Sequence, residues 1–214
     1  MSSSESAEAR VGGIVLAAGM STRMGSPKPL LPLGDEPMLV RVLDAMEASR
    51  SVCSIVVVTG HAADRVRAVV DGRGIVVVHN PDYENGEMLS SIKAGLTRIS
   101  PGVDAVLLAL CDQPMVRSET IALLVKTWQA TRPRILSPKY DGKRGHPIVL
   151  SADGFAEILS LSPDATLKAY TSRYSAETVE LEVDDPAVTR DVDTPADYAA
   201  EQERRNACIK RTPA

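Results

Sequence analysis

Leu16 to Gly34 reads LAAGMSTRMGSPKPLLPLG. It follows directly on the apolar run Gly13-Ile14-Val15-Leu16-Ala17, which has the pattern of a short buried strand. The stretch combines what a nucleotide-binding loop needs. Small residues at Ala18 and Gly19 let the backbone come close to a flat base or a phosphate. Arg23 and Lys28 supply fixed positive charge for a triphosphate. Gly25, Pro27 and Pro29 keep the loop from winding into helix.

Outward from this loop, short β-branched runs alternate with helical patterns. Strands are expected at Gly13–Ala17, Ser54–Val58, Ile75–Val78 and Ala105–Leu110, each continuously apolar as a strand covered on both faces should be. Helical periodicity follows Pro37, with Met38, Leu39, Val42, Leu43 and Met46 on one face. A second helix starts near Ala62. Leu89, Ile92, Leu96 and Ile99 mark a third. Ile121, Leu124, Val125 and Trp128 line a fourth, with Ser118 read as its cap. This alternation predicts an α/β fold with a parallel, doubly wound sheet. Ligands of such sheets bind outside the carboxyl ends of strands, so the loops after Ala17, Val58, Val78 and Leu110 carry the function. Beyond Ile135 the rhythm changes. Ile135–Tyr140 and Ile148–Leu150 flank a turn-rich loop read as a hairpin or a wide connection. Helices follow at Ala152–Leu159 and Thr166–Tyr174, then a strand at Thr178–Val183 and a closing helix from Pro195. With no repeat and no linker, residues 11–204 read as one domain, and 1–10 and 205–214 as disordered tails.

Bulk properties exclude several classes. Hydrophobic residues make up 44% of the 214, which suits a globular chain. Aromatics are 3%, the net charge is −4, and no basic run exceeds the length of Arg204-Arg205 in the tail, so no nucleic-acid partner is expected. The three cysteines, Cys53, Cys111 and Cys208, have no metal-ligand spacing; Cys53 and Cys111 are read as buried thiols. The N-terminus MSSSESAEAR lacks an apolar core, so no export or membrane signal is expected and the chain is read as cytoplasmic.

Four further constellations carry possible chemistry. Asp112, in Cys111-Asp112-Gln113-Pro114, leaves a buried strand end, where a carboxylate can hold a hard cation. Taken alone, it reads equally as a turn residue bonding backbone amides. In Asp191-Val192-Asp193-Thr194-Pro195-Ala196-Asp197, Thr194 and Asp197 have capping-box spacing, so Asp193 and Asp197 also read as helix-starting residues. In Asn80 to Ile92, Ser90 and Ser91 either donate to a ligand at a helix start or cap the helix. Gly145-His146-Pro147 follows Lys143 and Arg144, a basic turn suited to an anionic substrate. His61 and His79 have only their positions at strand ends to recommend them.

The loop with Arg23, Met24, Gly25, Lys28, Leu30 and Leu31 in place resembles the signature of the MobA-like NTP transferases, and within them the molybdenum cofactor cytidylyltransferase branch. The resemblance runs over residues 11–200. It implies a single-domain, Rossmann-like nucleotidyltransferase fold, with a mostly parallel sheet flanked by helices. It also implies transfer of CMP, or GMP as second choice, from an NTP to a phosphorylated small-molecule acceptor, most of all molybdopterin, with a molybdoenzyme receiving the product. Carried over residue by residue, Arg23, Lys28 and Asp112 become catalytic, and Asp112 and Asp193 hold Mg²⁺. Leu16, Ala17, Ala18, Gly19, Arg23, Lys28, Asn80, Ser90, Ser91 and Asp112 bind the nucleotide. His146, Arg144 and Asp164 contact the acceptor. Two departures stand out: Glu87 replaces a glycine before Met88, and Ser162 to Lys168 replaces a Gly-Asp-x-Gly-Ala-Arg segment, keeping Asp164 and placing Lys168 for the charge. The same loop also serves sugar-phosphate and methylerythritol-phosphate nucleotidyltransferases, relatives that act as oxidoreductases on dyes of the nicotine blue type, and, in principle, a non-catalytic nucleotide-binding regulator.

Overall fold

The computed structural model describes residues 9–85 and 87–211. In chain order the strands and helices are β1 (Val11–Ala17), β2 (Pro32–Leu33), β3 (Glu36–Pro37), α1 (Met38–Ser49), β4 (Ile55–Thr59), α2 (Ala63–Val70), β5 (Val76–His79), α3 (Met88–Ile99) and β6 (Ala105–Leu110). The second half has α4 (Ser118–Thr131), β7 (Ile135–Tyr140), β8 (Lys143–Arg144), β9 (Ile148–Ser151), α5 (Phe155–Ser160), α6 (Leu167–Arg173), β10 (Thr178–Glu182) and α7 (Pro195–Arg211).

The main sheet runs β10-β7-β9-β6-β1-β4-β5, with β8 paired to β7. β1 pairs in parallel with β4 and β6, as do β4 with β5 and β7 with β10. The chain winds outward from β1 through β4 to β5, then returns through α3 so that β6 lies on the other side of β1. The order therefore reverses between β1 and β6, where Leu16 stands beside Leu110 at the carboxyl ends of both strands. β9 enters antiparallel between β6 and β7, because the turn at Asp141-Gly142 folds the chain back as a hairpin. The short β8 is antiparallel to β7 as well, and the other strands run parallel, as the βα rhythm requires.

Both faces are covered, which explains the continuously apolar strands. Along β1, Val11 and Val15 point into one layer with Leu43 and Met46 of α1 and Leu124 and Trp128 of α4. Ile14 and Leu16 point into the other, against Leu89, Ile92 and Leu96 of α3 and Phe155 and Ile158 of α5.

Four expectations change. Cys111 is buried but Cys53 is exposed: its N–H donates to Val11 O (2.8 Å), and the bend there turns its side chain out before β4 begins. Ser118 is the first residue of α4 and not its cap. Asp185, far along the chain, caps that helix by accepting from Arg117 N (3.0 Å) and Thr120 Oγ1 (2.7 Å). Ala9 and Arg10, expected in the N-terminal tail, pack on the domain: Gln129 Nε2 donates to Ala9 O and Arg10 N donates to Asp104 Oδ2, each at 2.8 Å. The C-terminal helix runs on through Arg211, with the Arg205 guanidinium 3.9 Å from Asp35, so the tail expected from 205 is helical to that point. The remaining tail residues, 1–8 and 212–214, and Gly86 lie outside the described residues, as does the side chain of Cys208. Among the described residues, no helix is long and apolar enough to cross a membrane.

Candidate active site

A cleft of about 230 Å³ opens where the strand order reverses, bounded by Leu16, Ala18 and Gly19 at the end of β1 and just beyond it, and by Leu110, Cys111 and Asp112 at the end of β6 and just beyond it. A short 3₁₀ turn, Lys28–Leu30, brings Lys28 to its wall, held by the Lys28 N–H donating to Ser21 Oγ (2.9 Å). Pro29 within the turn has no N–H to leave unpaired. The Lys28 ammonium donates to Asp112 Oδ2 (2.9 Å) and to Asp193 Oδ1 (2.7 Å), although Lys28 and Asp193 are 165 positions apart.

Backbone geometry joins the two carboxylates. Val192 N donates to Asp112 O (2.8 Å), which lays the 191–193 segment along the loop after β6. Alternation along that segment sends Asp191 to Gln113 Nε2 (2.7 Å), buries Val192, and turns Asp193 to Lys28. The capping box is also real: Thr194 N and Oγ1 donate to Asp197 Oδ2 (2.8 and 2.7 Å), and Asp197 N donates back to Thr194 Oγ1 (3.2 Å). Since Asp197 starts the helix, Asp193 is free for the cleft.

The charges are tuned by depth. Burial pushes the Asp112 carboxyl above its usual range, Lys28 pulls it back, and Asp191 and Asp193 push it further up. Burial opposes the Lys28 charge, but Asp112 and Asp193 outweigh it and hold the amine above its usual value. The hydrogen bond from Lys28 holds Asp193 below the carboxylate range. Burial also raises the Cys111 thiol far above its usual value, so it offers no nucleophile to the cleft. Asp112 Oδ1 is buried and has no hydrogen-bond partner among the described residues. An orphaned carboxylate oxygen beside a second carboxylate is a donor set for a hard divalent cation that takes its other ligands from phosphates. Among the described residues no three His, Cys, Asp or Glu side chains cluster as a complete metal cage.

Of the other residues singled out from sequence, Ser91 lines the cleft and Ala17 ends β1 beneath it. Arg23 stands exposed at the rim with its guanidinium 3.4 Å from Asp193 Oδ2. Asn80 is buried, and its amide donates to Ser90 Oγ (2.8 Å) and Ser91 Oγ (3.0 Å), tying the end of β5 to the start of α3. Asn80 and Ser90 thus shape the cleft from behind without lining it. Ser21, Tyr83, Glu87 and Met88, none of them named as site residues from sequence, also line it. Tyr83 and Met88 lie inside the segment quoted for Ser90 and Ser91, but nothing in their spacing separates lining from packing.

A second cleft, about 380 Å³, shares Glu87 and Met88 with the first and holds Arg144, His146 and Lys168 against the apolar walls of Leu89, Ile135 and Ile148. Burial holds the half-buried His146 imidazole below its usual pKa, against the pull of Asp191 and Asp112, so it is neutral at pH 7. Arg144 is paired with Glu180. Asp164 stands exposed on the turn before α6 and lines neither cleft; Lys168, from the same segment, lines the second. His61 and His79 pack near Tyr83, with ring centroids 6.3 and 5.9 Å away.

A reversing parallel sheet with a loop of small residues at the reversal is the architecture of an α/β protein that binds a nucleotide outside its strand ends, here beside a lysine between two carboxylates. The model of the MobA-like NTP transferase domain matches residues 13–179, and the chain belongs to that family. It is 28% identical over 194 residues to the molybdenum cofactor cytidylyltransferase of Escherichia coli K12, covering 89% of this chain and 95% of that one. It is 31% identical over 137 residues to the 2-C-methyl-D-erythritol 4-phosphate cytidylyltransferase of Streptomyces avermitilis, covering 60% of this chain and 53% of that one. Among solved structures it is similar to Rv0371c from Mycobacterium tuberculosis H37Rv, with a TM-score of 0.79 and 33% identity over 91% of this chain and 98% of that one. That protein has also been crystallised with manganese.

Proposed function

We propose that this chain transfers CMP from CTP to the phosphate of molybdopterin, releasing pyrophosphate, with GTP as the second choice of nucleotide. One observation carries the reading: Lys28, Asp112 and Asp193 meet at the mouth of a cleft that adjoins a second cleft with basic and apolar walls. The NTP lies in the first cleft, its base edge against the backbone of Ala17 to Gly19. The acceptor lies in the second. The likeness to the Escherichia coli enzyme supports this choice of acceptor.

The acceptor phosphate oxygen attacks the α-phosphorus in line. The bond from that phosphorus to the bridging oxygen breaks, and pyrophosphate leaves with the electron pair. A phosphate monoester is already anionic, so no protein nucleophile is required, and the protein's contribution is positioning and charge neutralisation. Asp112 and Asp193 would hold Mg²⁺, which would supply positive charge to offset that of the phosphates. Lys28 and Arg23 take up the negative charge that collects on the leaving pyrophosphate. Neutral His146 offers the acceptor a hydrogen bond without adding to the charge. The cytoplasm is the compartment of this reading, and a molybdoenzyme its downstream partner.

The test is pyrophosphate release from each of CTP, GTP, ATP and UTP with Mg²⁺ and molybdopterin. CTP should support release and depend on the acceptor. Release with a sugar phosphate or methylerythritol phosphate and not with molybdopterin would reassign the acceptor. No release with any pair would remove the catalytic reading.

A further inference from the structure

The nucleotide cleft contains a single aromatic side chain, Tyr83. The chain has only seven aromatic residues, one Trp, one Phe and five Tyr. Three of them, Trp128, Phe155 and Tyr170, are buried in the core. An aromatic ring facing a cleft is therefore unusual in this molecule.

The ring is also fixed. A Cβ on Gly60 would fall 2.5 Å from Tyr83 Cβ, 2.6 Å from Tyr83 Cγ and 2.4 Å from Ala18 O. Only glycine at position 60 lets the root of Tyr83 and the loop after β1 approach the end of β4 this closely. At its far end, the Tyr83 hydroxyl donates to Glu84 Oε1 (2.8 Å). The His79 ring meets it edge-on at 5.9 Å, and the His61 ring lies tilted at 6.3 Å. A ring held at root and tip has little rotamer freedom left to lose when a ligand arrives. It sits next to Ala18, whose backbone faces the same space.

We propose that Tyr83 is the platform against which the nucleobase stacks. This rests on the first cleft being the nucleotide site. Stacking contributes affinity for any base, because every base has a π-face. The choice among bases is left to the edge contacts of the Ala17–Gly19 backbone. Gly60 and the two histidines act as positioning residues that hold the ring.

The test measures Kd by calorimetry for CTP, GTP and inorganic tripolyphosphate with Mg²⁺, on the wild type and on Tyr83→Leu, Tyr83→Ala and Tyr83→Phe. Losing one base–aromatic stack weakens binding about tenfold. Tyr83→Leu and Tyr83→Ala should therefore weaken CTP and GTP alike by about that factor and leave tripolyphosphate within twofold. Tyr83→Phe keeps the ring and should bind CTP within about twofold of the wild type. Tyr83→Leu keeps bulk beside Gly60, so it supplies the answer if Tyr83→Ala does not fold. Tyr83→Trp adds an optical readout: Trp128 is fully buried, so quenching on CTP addition comes from position 83. Equal CTP affinity in the wild type and a folded Tyr83→Leu overturns the platform while leaving the nucleotide cleft standing. So does a loss of tripolyphosphate binding as large as the loss of CTP. A wild type that binds none of the nucleotides overturns both.

Discussion

Replacing Lys28 with Met tests the centre of the site directly. Methionine keeps length and apolar stem but removes the ammonium that sits between Asp112 and Asp193. The side chains of Lys28 and Asp112 are 15% and 20% exposed, so their bond is shielded, and a charge-assisted hydrogen bond of that kind contributes about 1.5–3 kcal/mol. The bond to Asp193, whose side chain is 36% exposed, is screened and adds about 0–1 kcal/mol. The variant should be less stable by about 1.5–4 kcal/mol at pH 7.5, which for a domain of this size lowers Tm by about 3–16 °C. The deficit should depend on pH. Asp112 has a folded pKa above its ordinary 3.8, so its contribution to stability is full below 3.8 and is lost as pH rises through the folded value. Without Lys28 to pull that value down, more is lost on the neutral side. Asp193 has a folded pKa below 3.8, and its contribution is lost only as pH falls beneath that. The difference in Tm should therefore shrink from pH 7.5 to pH 4.5, where the Asp193 share remains. Scanning calorimetry of both proteins at the two pH values gives the answer. A variant that melts within a degree of the wild type at pH 7.5, or whose deficit grows on acidification, would show that Lys28 does not neutralise these carboxylates.

Three other outcomes are expected. Asp112→Asn and Asp193→Asn should each remove most of the transfer rate, with the double variant scarcely slower, because both serve one cation; multiplicative losses in kcat would separate them. Asp197→Ala should lower Tm modestly through loss of the helix cap while leaving transfer within a few fold, and a collapse of activity with Tm unchanged would move the catalytic role to Asp197. Competitive binding should favour CTP over GTP, and GTP binding tenfold tighter, about 1.4 kcal/mol, would shift the base preference to guanine.

The parallel half of the sheet was legible because strands buried on both faces must be apolar throughout, and the helices between them kept their 3.6-residue period. The direction of Ile148–Ser151 was not: an apolar run has no polarity, and only the hairpin turn at Asp141-Gly142 makes β9 antiparallel. The cap of α4 was misread for a related reason. Ser118 satisfies the local rule, but a carboxylate 68 positions from Arg117 takes the amide instead. Long-range partners also decided the site. Asn80 has the chemistry of a ligand contact, yet it is spent on Ser90 and Ser91. Tyr83 has no local signature, since its place in the cleft depends on the missing Cβ of Gly60 on another strand end. Lys28, Asp112 and Asp193 could be nominated because charged groups at strand ends and loops stand out against apolar runs. Their meeting at one ammonium could not be read from their spacing.

The segment Asp191 to Asp197 shows how capping and site chemistry support each other. Either reading of its carboxylates was open from sequence, and the two looked like rivals. In the fold they are assigned to different residues by alternation and by the start of α7. Asp197 accepts three hydrogen bonds at the helix start, from Thr194 N, Thr194 Oγ1 and, at 3.3 Å, Asp193 N. The backbone of Asp193 is thus fixed by the cap while its side chain is left free to face Lys28. Val192, 2% exposed, packs with Leu33 and Met38 and prevents the segment from slipping by one residue, a shift that would exchange Asp193 for a valine at the cleft. The cap therefore does more than start a helix: it sets the position of a carboxylate whose value to the site depends on sub-ångström placement beside an ammonium.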